Sequence, residues 1–146
     1  MEEHQLSRSF RTLTRLHRGI VTNYLEIYGL YPGQPRLLFI LDENAGITLS
    51  RLVQLSDQTK EAVSVSVRRL EEKGYIQRFV NPLDQRERFL YLSGKGKATA
   101  TIIHAKFHQI NDAMFEPLEA TEKEVLMEMF ERMSERLDAF NKERER

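Results

Sequence analysis

Cysteine is absent from the 146 residues. That excludes disulfides, thiolate metal sites, a cysteine nucleophile and a thiol redox switch. Long apolar runs are missing too. The longest, LLFIL at residues 37–41, falls far short of the roughly 20 residues a membrane-crossing helix needs. The leading MEEHQLSRS is acidic and polar, unlike a secretion signal, so the expectation is a soluble, cytoplasmic protein with no membrane partner. The chain has no glycine-rich phosphate loop and no motif of paired carboxylates. No catalytic residue stands out, an enzyme is not expected, and no cofactor is implied. Internal repeats and low-complexity linkers are also lacking, so the length fits one domain, residues 1–146.

An excess of either charge is lacking overall, since 22 Lys/Arg meet 22 Asp/Glu. The distribution is uneven. Residues 51–97 hold ten basic side chains against six acidic ones, and residues 98–146 hold seven against eleven. A neutral total thus hides a basic middle, the pattern expected if one face meets a polyanion.

What is present is helical period. Leu6, Phe10, Leu13, Ile20, Tyr24 and Ile27 recur at helical spacing, predicting a long amphipathic helix that ends near Gly29. A second helix has Pro35 in its first turn, LLFIL as its buried body and Gly46 as its stop. Thr48 should cap a short third helix, from Leu49 to about Leu55. After the polar break SDQTK, a fourth runs to Lys73 and stops at Gly74. Then the period changes. Residues 76–80 and 87–92 are β-prone with turn chemistry between them, which predicts a hairpin. Ser93 caps a helix over residues 94–115, which Pro117 helps to end. The spacing of Thr121 and Glu124 predicts a capping box for a last helix to about Asn141, with KERER as a frayed end. The fold class is therefore mainly α with a small β-hairpin wing. A winged helix–turn–helix core at about residues 35–92 is flanked by long helices at about 4–28 and 94–142. Leu6, Phe10 and Leu13, with Leu126, Met129, Phe130, Met133, Leu137 and Phe140, give those helices apolar stripes that point to a homodimer across a two-fold axis.

In such a unit the second helix of the pair enters the DNA major groove. Here it is TKEAVSVSVRRLEEKG, residues 59–74. Ala62, Val63, Val67 and Leu70 are expected inside, and Lys60, Glu61, Ser64, Val65 and Arg68 outside. Ser64 can bond a base or phosphate, Val65 can touch a thymine methyl, and Arg68 and Arg69 suit phosphates. The wing turn NPLDQRER, residues 81–88, puts Asn81 and Pro82 where a turn needs them. Arg86 is the candidate for a narrow minor groove, where negative potential is strong. Asp84 is expected to hold its guanidinium by paired charge-assisted bonds. The candidate DNA-binding set is thus Thr59, Lys60, Ser64, Val65, Arg68, Arg69, Asp84, Arg86 and Arg88.

Four segments in order resemble the MarR family of winged helix–turn–helix transcription regulators. YGLYPGQ, residues 28–34, is similar to the family's link between its first two helices. RRLEEKGYIQR is similar to its recognition helix entering the wing. NPLDQR matches its Asp-Pro-x-Asp-x-Arg wing signature except that Asn81 replaces the first acid. LSGKGKA is similar to its Leu-Thr-x-x-Gly step into the fifth helix. The resemblance implies a dimer on a pseudo-palindromic operator, with Ser64, Asp84 and Arg86 at matching positions. It implies a repressor released by a small aromatic or phenolic effector, for which His17, Tyr24, Tyr28 and Phe39 are candidates by position. Two departures stand out. Val65 occupies a place where members often have Arg, and Leu55 falls one place early before the turn, leaving the recognition-helix cap on Asp57 or Thr59.

Two weaker readings complete the set. His104 and His108 are four apart on a helix, a spacing that can bring two imidazoles to one metal, with His17, His4 or a carboxylate needed as the remaining ligands. Aromatic residues at helical spacing are also ordinary core. The alternative function is a winged-helix protein-interaction module without sequence-specific DNA binding.

Overall fold

Local sequence rules account for most element boundaries. The computed structural model describes residues 2–146. Its order is α1 (Glu3–Glu26), α2 (Gln34–Glu43), β1 (Ile47–Thr48), α3 (Leu49–Ser56), α4 (Lys60–Glu72), β2 (Ile76–Asn81), β3 (Asp84–Leu92), α5 (Gly94–Phe115) and α6 (Ala120–Arg144). Thr48 caps α3 by accepting a hydrogen bond from the Arg51 N–H at 3.2 Å, which satisfies a donor that no helical carbonyl can reach. Thr59 does the same for α4 with the Ala62 N–H, also at 3.2 Å. That decides the open cap: it is Thr59. Asp57 instead ends α3 in the left-handed region at φ 56°.

Boundaries differ from expectation in four places, the first being β3, which begins at Asp84, three residues ahead of the expected Glu87. α6 begins two residues ahead of the expected box, because Glu122 accepts from the Glu119 N–H at 2.9 Å. α6 also continues through Lys142 to Arg144, with Lys142 paired to Asp138 one turn back at 2.8 Å. The hairpin gains a third strand, giving an antiparallel sheet in the order β1-β3-β2 with Ile47 opposite Leu90 and Ile76 opposite Leu92. At two residues, β1 is too short to show an alternation. Gly46 leads into it at φ 79°, and a Cβ there would lie 2.7 Å from the Tyr91 hydroxyl oxygen. The chain therefore turns where only glycine fits.

The chain divides into two compact units, residues 1–107 and 108–146. In the first, Leu25 of α1, Leu37, Leu38 and Leu41 of α2, Leu52 of α3, Val63, Val67 and Leu70 of α4, Leu90 of β3 and Ile103 of α5 are fully buried. Each such side chain stabilises the fold by about 1.5–3 kcal/mol, so the helix–turn–helix and the sheet share one core. α1 keeps an uncovered apolar stripe along its length: Leu6, Phe10, Leu13, Leu16 and Ile20 are all about half exposed or more, with Phe10 at 57%. In the second unit, α6 has no buried residue. Met129, Phe130, Met133, Leu137 and Phe140 stand exposed along it. Among the described residues no helix is long and apolar enough to cross a membrane.

Candidate nucleic-acid interface

α3, the turn after it and α4 form the helix–turn–helix. Val63, Val67 and Leu70 pin α4 to the core, which directs the opposite side outward. At about 100° per residue, Glu61, Val65 and Arg68 share the row farthest from those three. Lys60, Glu61, Arg68 and Arg69 are exposed, as is Thr59, while Ser64 and Val65 are half-buried. Glu61 and Arg68 lie one turn to either side of Val65 on that row. Ala62 corrects the expectation, because it is exposed rather than inward. It lies about 100° off the Val63 direction and misses the core.

The wing shows what its charges do. β2 and β3 pair in regular register from Ile76 opposite Leu92 to Val80 opposite Arg88. The register then shifts, with Asn81 opposite Asp84. Residues 85–87 are thus extra on β3 and form a bulge with Arg86 at its centre. The hairpin tip itself is Pro82 and Leu83, the latter 96% exposed, so Arg86 is not at the tip. A bulge re-aims a side chain away from the strand's normal alternation, and Arg86 is exposed.

Asp84 supports this shape differently from expectation. Its Oδ1 accepts from the backbone N–H of Arg86 at 3.0 Å, and Asp84 makes no ion pair among the described residues. A short carboxylate reaches the amide two residues on more easily than the end of a long guanidinium. Asn81 closes the other side: its Oδ1 accepts from Leu83 N–H at 2.9 Å and its Nδ2 donates to Glu87 Oε2 at 2.8 Å. Arg88 is folded back, donating to the carbonyls of Gln85 and Glu87, so it holds the bulge from within.

Several other cations are similarly occupied. Arg78 is paired with Glu71, tying β2 to α4, with Nε to Oε1 at 2.9 Å. Lys73 donates to the Gly29 carbonyl, and Lys95 donates to the Lys73 carbonyl at 2.7 Å. The Arg69 guanidinium lies 5.5 Å from the Tyr31 ring centre, a cation–π contact that sequence reasoning missed. Lys60, Arg68 and the Arg86 guanidinium have no hydrogen-bond or ion-pair partner among the described residues. Two of these lie on α4 and one on the wing.

The aromatic candidates divide into two groups. The Tyr24 and Tyr28 hydroxyls are 3.5 Å apart. The hydrogen bond with Tyr28, together with burial, raises the Tyr24 pKa to about 12. Lys106 sits 5.2 Å from the Tyr24 ring centre. Phe39 instead meets His104 and Phe107 edge-on, at 5.3 and 5.9 Å between ring centres. Tyr24, Tyr28 and Phe39 all pack partly against the core. His17 is half-buried two turns earlier on α1, roughly 10 Å along the axis from Tyr24. No cluster of three or more His, Asp or Glu side chains placed to hold a metal occurs among the described residues.

Helix–turn–helix, three-stranded sheet and exposed wing cation together define a winged-helix DNA-binding protein. Residues 28–87 match the model of the MarR family. The chain is 22% identical over 134 residues to YwhA of Bacillus subtilis, an HTH-type transcriptional regulator, covering 91% of this chain and 92% of that one. Its fold superposes on the transcriptional regulator SlyA with a TM-score of 0.75 at 23% identity, over 90% of this chain and 93% of the other. A MarR variant from E. coli, solved in complex with operator DNA, gives a TM-score of 0.73 at 22% identity, over 88% and 93%. Across residues 28–87 the chain is thus similar to the MarR family of winged helix–turn–helix transcription regulators.

Proposed function

We propose that the chain acts as a homodimeric regulator on a pseudo-palindromic operator, with α4 in the major groove and the wing in the minor groove. The observation that carries this reading is the trio of unpartnered cations, Lys60 and Arg68 on α4 and Arg86 on the bulge. Cations already bonded within the protein would have to break those bonds to meet phosphate, and these three do not. Two copies of α4 would occupy successive major grooves about 34 Å apart. The uncovered stripes of α1 and α6 supply apolar surface for a second copy to bury, and isologous contact is the usual solution for such a stripe. The protein would work in the cytoplasm, without catalysis. Release by a small aromatic or phenolic effector, the mark of a repressor, is supported by the paired Tyr24 and Tyr28 hydroxyls with Lys106 near them.

The test is fluorescence anisotropy on DNA from upstream of the protein's own gene, against a scrambled duplex at two salt concentrations. Sequence-preferring binding that weakens steeply with salt is expected, because several phosphates are contacted together. Phe10→Glu and Phe140→Glu should shift sedimentation from dimer to monomer. A second reading, a protein-interaction module, has one observation in its favour: Phe79, Val80 and Leu83 leave an apolar edge on the wing. Failure of a random-site selection to yield any preferred sequence would favour that module.

A further inference from the structure

The turn between α3 and α4 is held from outside by the start of α2. Arg36 donates through Nη2 to the Leu55 carbonyl at 3.0 Å and through Nε to the Ser56 carbonyl at 3.2 Å. These are among the last carbonyls of α3, which have no helical donor, and a cation at that end also meets the negative pole of the helix. The same guanidinium lies 3.8 Å from the Asp57 carboxylate. Asp57 is the residue at φ 56°, the one non-glycine in the left-handed region among the described residues. One residue on, the Gln58 side chain donates to the Gly33 carbonyl at 3.0 Å, while its backbone N–H donates to the buried Ser56 hydroxyl at 3.2 Å. Two consecutive side-chain ties therefore join residues 33–36 to residues 55–58, immediately ahead of the Thr59 cap of α4.

We infer that Arg36 and Gln58 form a two-point clamp that sets how α4 is presented to DNA, and that Arg36 is a positioning residue rather than a phosphate contact. The direction and first turn of α4 depend on the path of residues 56–59, and that path includes Asp57 in the left-handed region, which aspartate tolerates better than most side chains but which still has to be held. Arginine suits the task because its planar fork serves two carbonyls at once, which a lysine ammonium on a flexible stem does not. The functional part of this inference rests on the DNA-binding reading above. The conformational part does not.

Arg36→Ala, Arg36→Lys and Gln58→Ala decide it, each measured two ways. Hydrogen exchange of the free protein should show faster exchange across residues 56–62 in all three variants, with the amides of α5 unchanged. On DNA, the ratio of operator to scrambled affinity should fall roughly ten-fold in Arg36→Ala, about the cost of misreading one base pair. The slope of affinity against salt should stay that of wild type. Arg36→Lys should resemble Arg36→Ala. If Arg36 touches phosphate instead, Arg36→Lys binds like wild type and Arg36→Ala loses affinity equally on both duplexes with a shallower salt slope. That result, or unchanged exchange in residues 56–62, overturns the clamp. Gln58→Ala removes only the tie to Gly33 and serves if Arg36→Ala does not fold. A wild-type protein with no preferred DNA sequence would refute the operator reading alone, and the exchange experiment would still decide the clamp.

Discussion

Replacing Asp84 separates two ways in which an acid can serve a DNA-contacting wing. If Asp84 holds the Arg86 guanidinium by an ion pair, its negative charge is essential. In the structure it holds the Arg86 backbone N–H at 3.0 Å, and for that an amide oxygen is sufficient. Asp84→Asn should therefore keep the bulge, and Asp84→Ala should lose it. The bond is exposed and single, so its net worth is about 1 kcal/mol, or roughly five-fold in affinity for one wing. If the proposed dimer sets both wings on a two-fold operator, they act at separate places and add, which makes about 25-fold. Removing a negative charge near phosphate favours DNA binding in general, so the quantity to measure is the ratio of operator to scrambled affinity by anisotropy. Asp84→Asn should stay within about three-fold of wild type and Asp84→Ala should fall by about 25-fold, both as estimated from one hydrogen bond per wing. An Asp84→Asn protein as weak as Asp84→Ala would refute the backbone role and restore the ion pair. An Asp84→Ala protein equal to wild type would show that Asn81 and Arg88 hold the bulge without it.

Other perturbations have equally definite outcomes. Gly96→Ala should cost at least about 2 kcal/mol and lower the Tm by roughly 5–10 °C, because its Cβ would lie 2.1 Å from the Tyr75 carbonyl oxygen, a backbone atom with nowhere to go; a Tm within error of wild type would contradict that packing. Thr59→Ala removes the cap of α4 and should lower stability by about 1 kcal/mol in urea unfolding, with no change if another group caps the helix. Arg86→Ala on both wings should reduce the salt slope by about two counterions, and an unchanged slope would mean that Arg86 meets no phosphate. Tyr24, raised from 10.0 to about 12 chiefly by its hydrogen bond with Tyr28, should be among the last tyrosines to give phenolate absorbance on alkaline titration. Since the folded pKa lies above the unfolded one, its contribution to stability is whole below about pH 10 and is lost as pH rises towards about 12. Tyr28→Phe should bring that ionisation down, and a late Tyr24 in that variant would assign the shift to burial instead.

What was legible in the sequence was whatever a few neighbouring residues decide. Thr48 and the run behind it were enough to place α3, because a cap, a helical period and a short apolar face all lie within one turn or two. Recognition-helix burial was readable for Val63, Val67 and Leu70, which share one direction. It failed for Ala62, where a small apolar residue beside that direction needs no burial. β1 was invisible because its two residues become a strand only by pairing with Leu90 and Phe89, some forty residues later. The wing was read at the level of composition and misread at the level of geometry. Its residues announce a charged turn, but the register shift after Val80 is a property of the pairing, and it is this shift that frees Arg86 and turns Asp84 towards the backbone.

The same distinction explains why a surplus of four positive charges in residues 51–97 was a poor guide to the interface. Charge counted along a chain does not say which cations the fold has already used. Arg78 holds β2 to α4, Lys73 and Lys95 bind backbone carbonyls, Arg88 secures the bulge, and Arg69 lies on Tyr31. Each of these bonds is weak where exposed, but together they shape the surface from which Lys60, Arg68 and Arg86 project. About half of the cations in the basic middle of the chain are therefore scaffold. A narrow contact made by a few cations on a neutral protein gives little non-specific attraction, and discrimination must then come from where α4 and the wing are held.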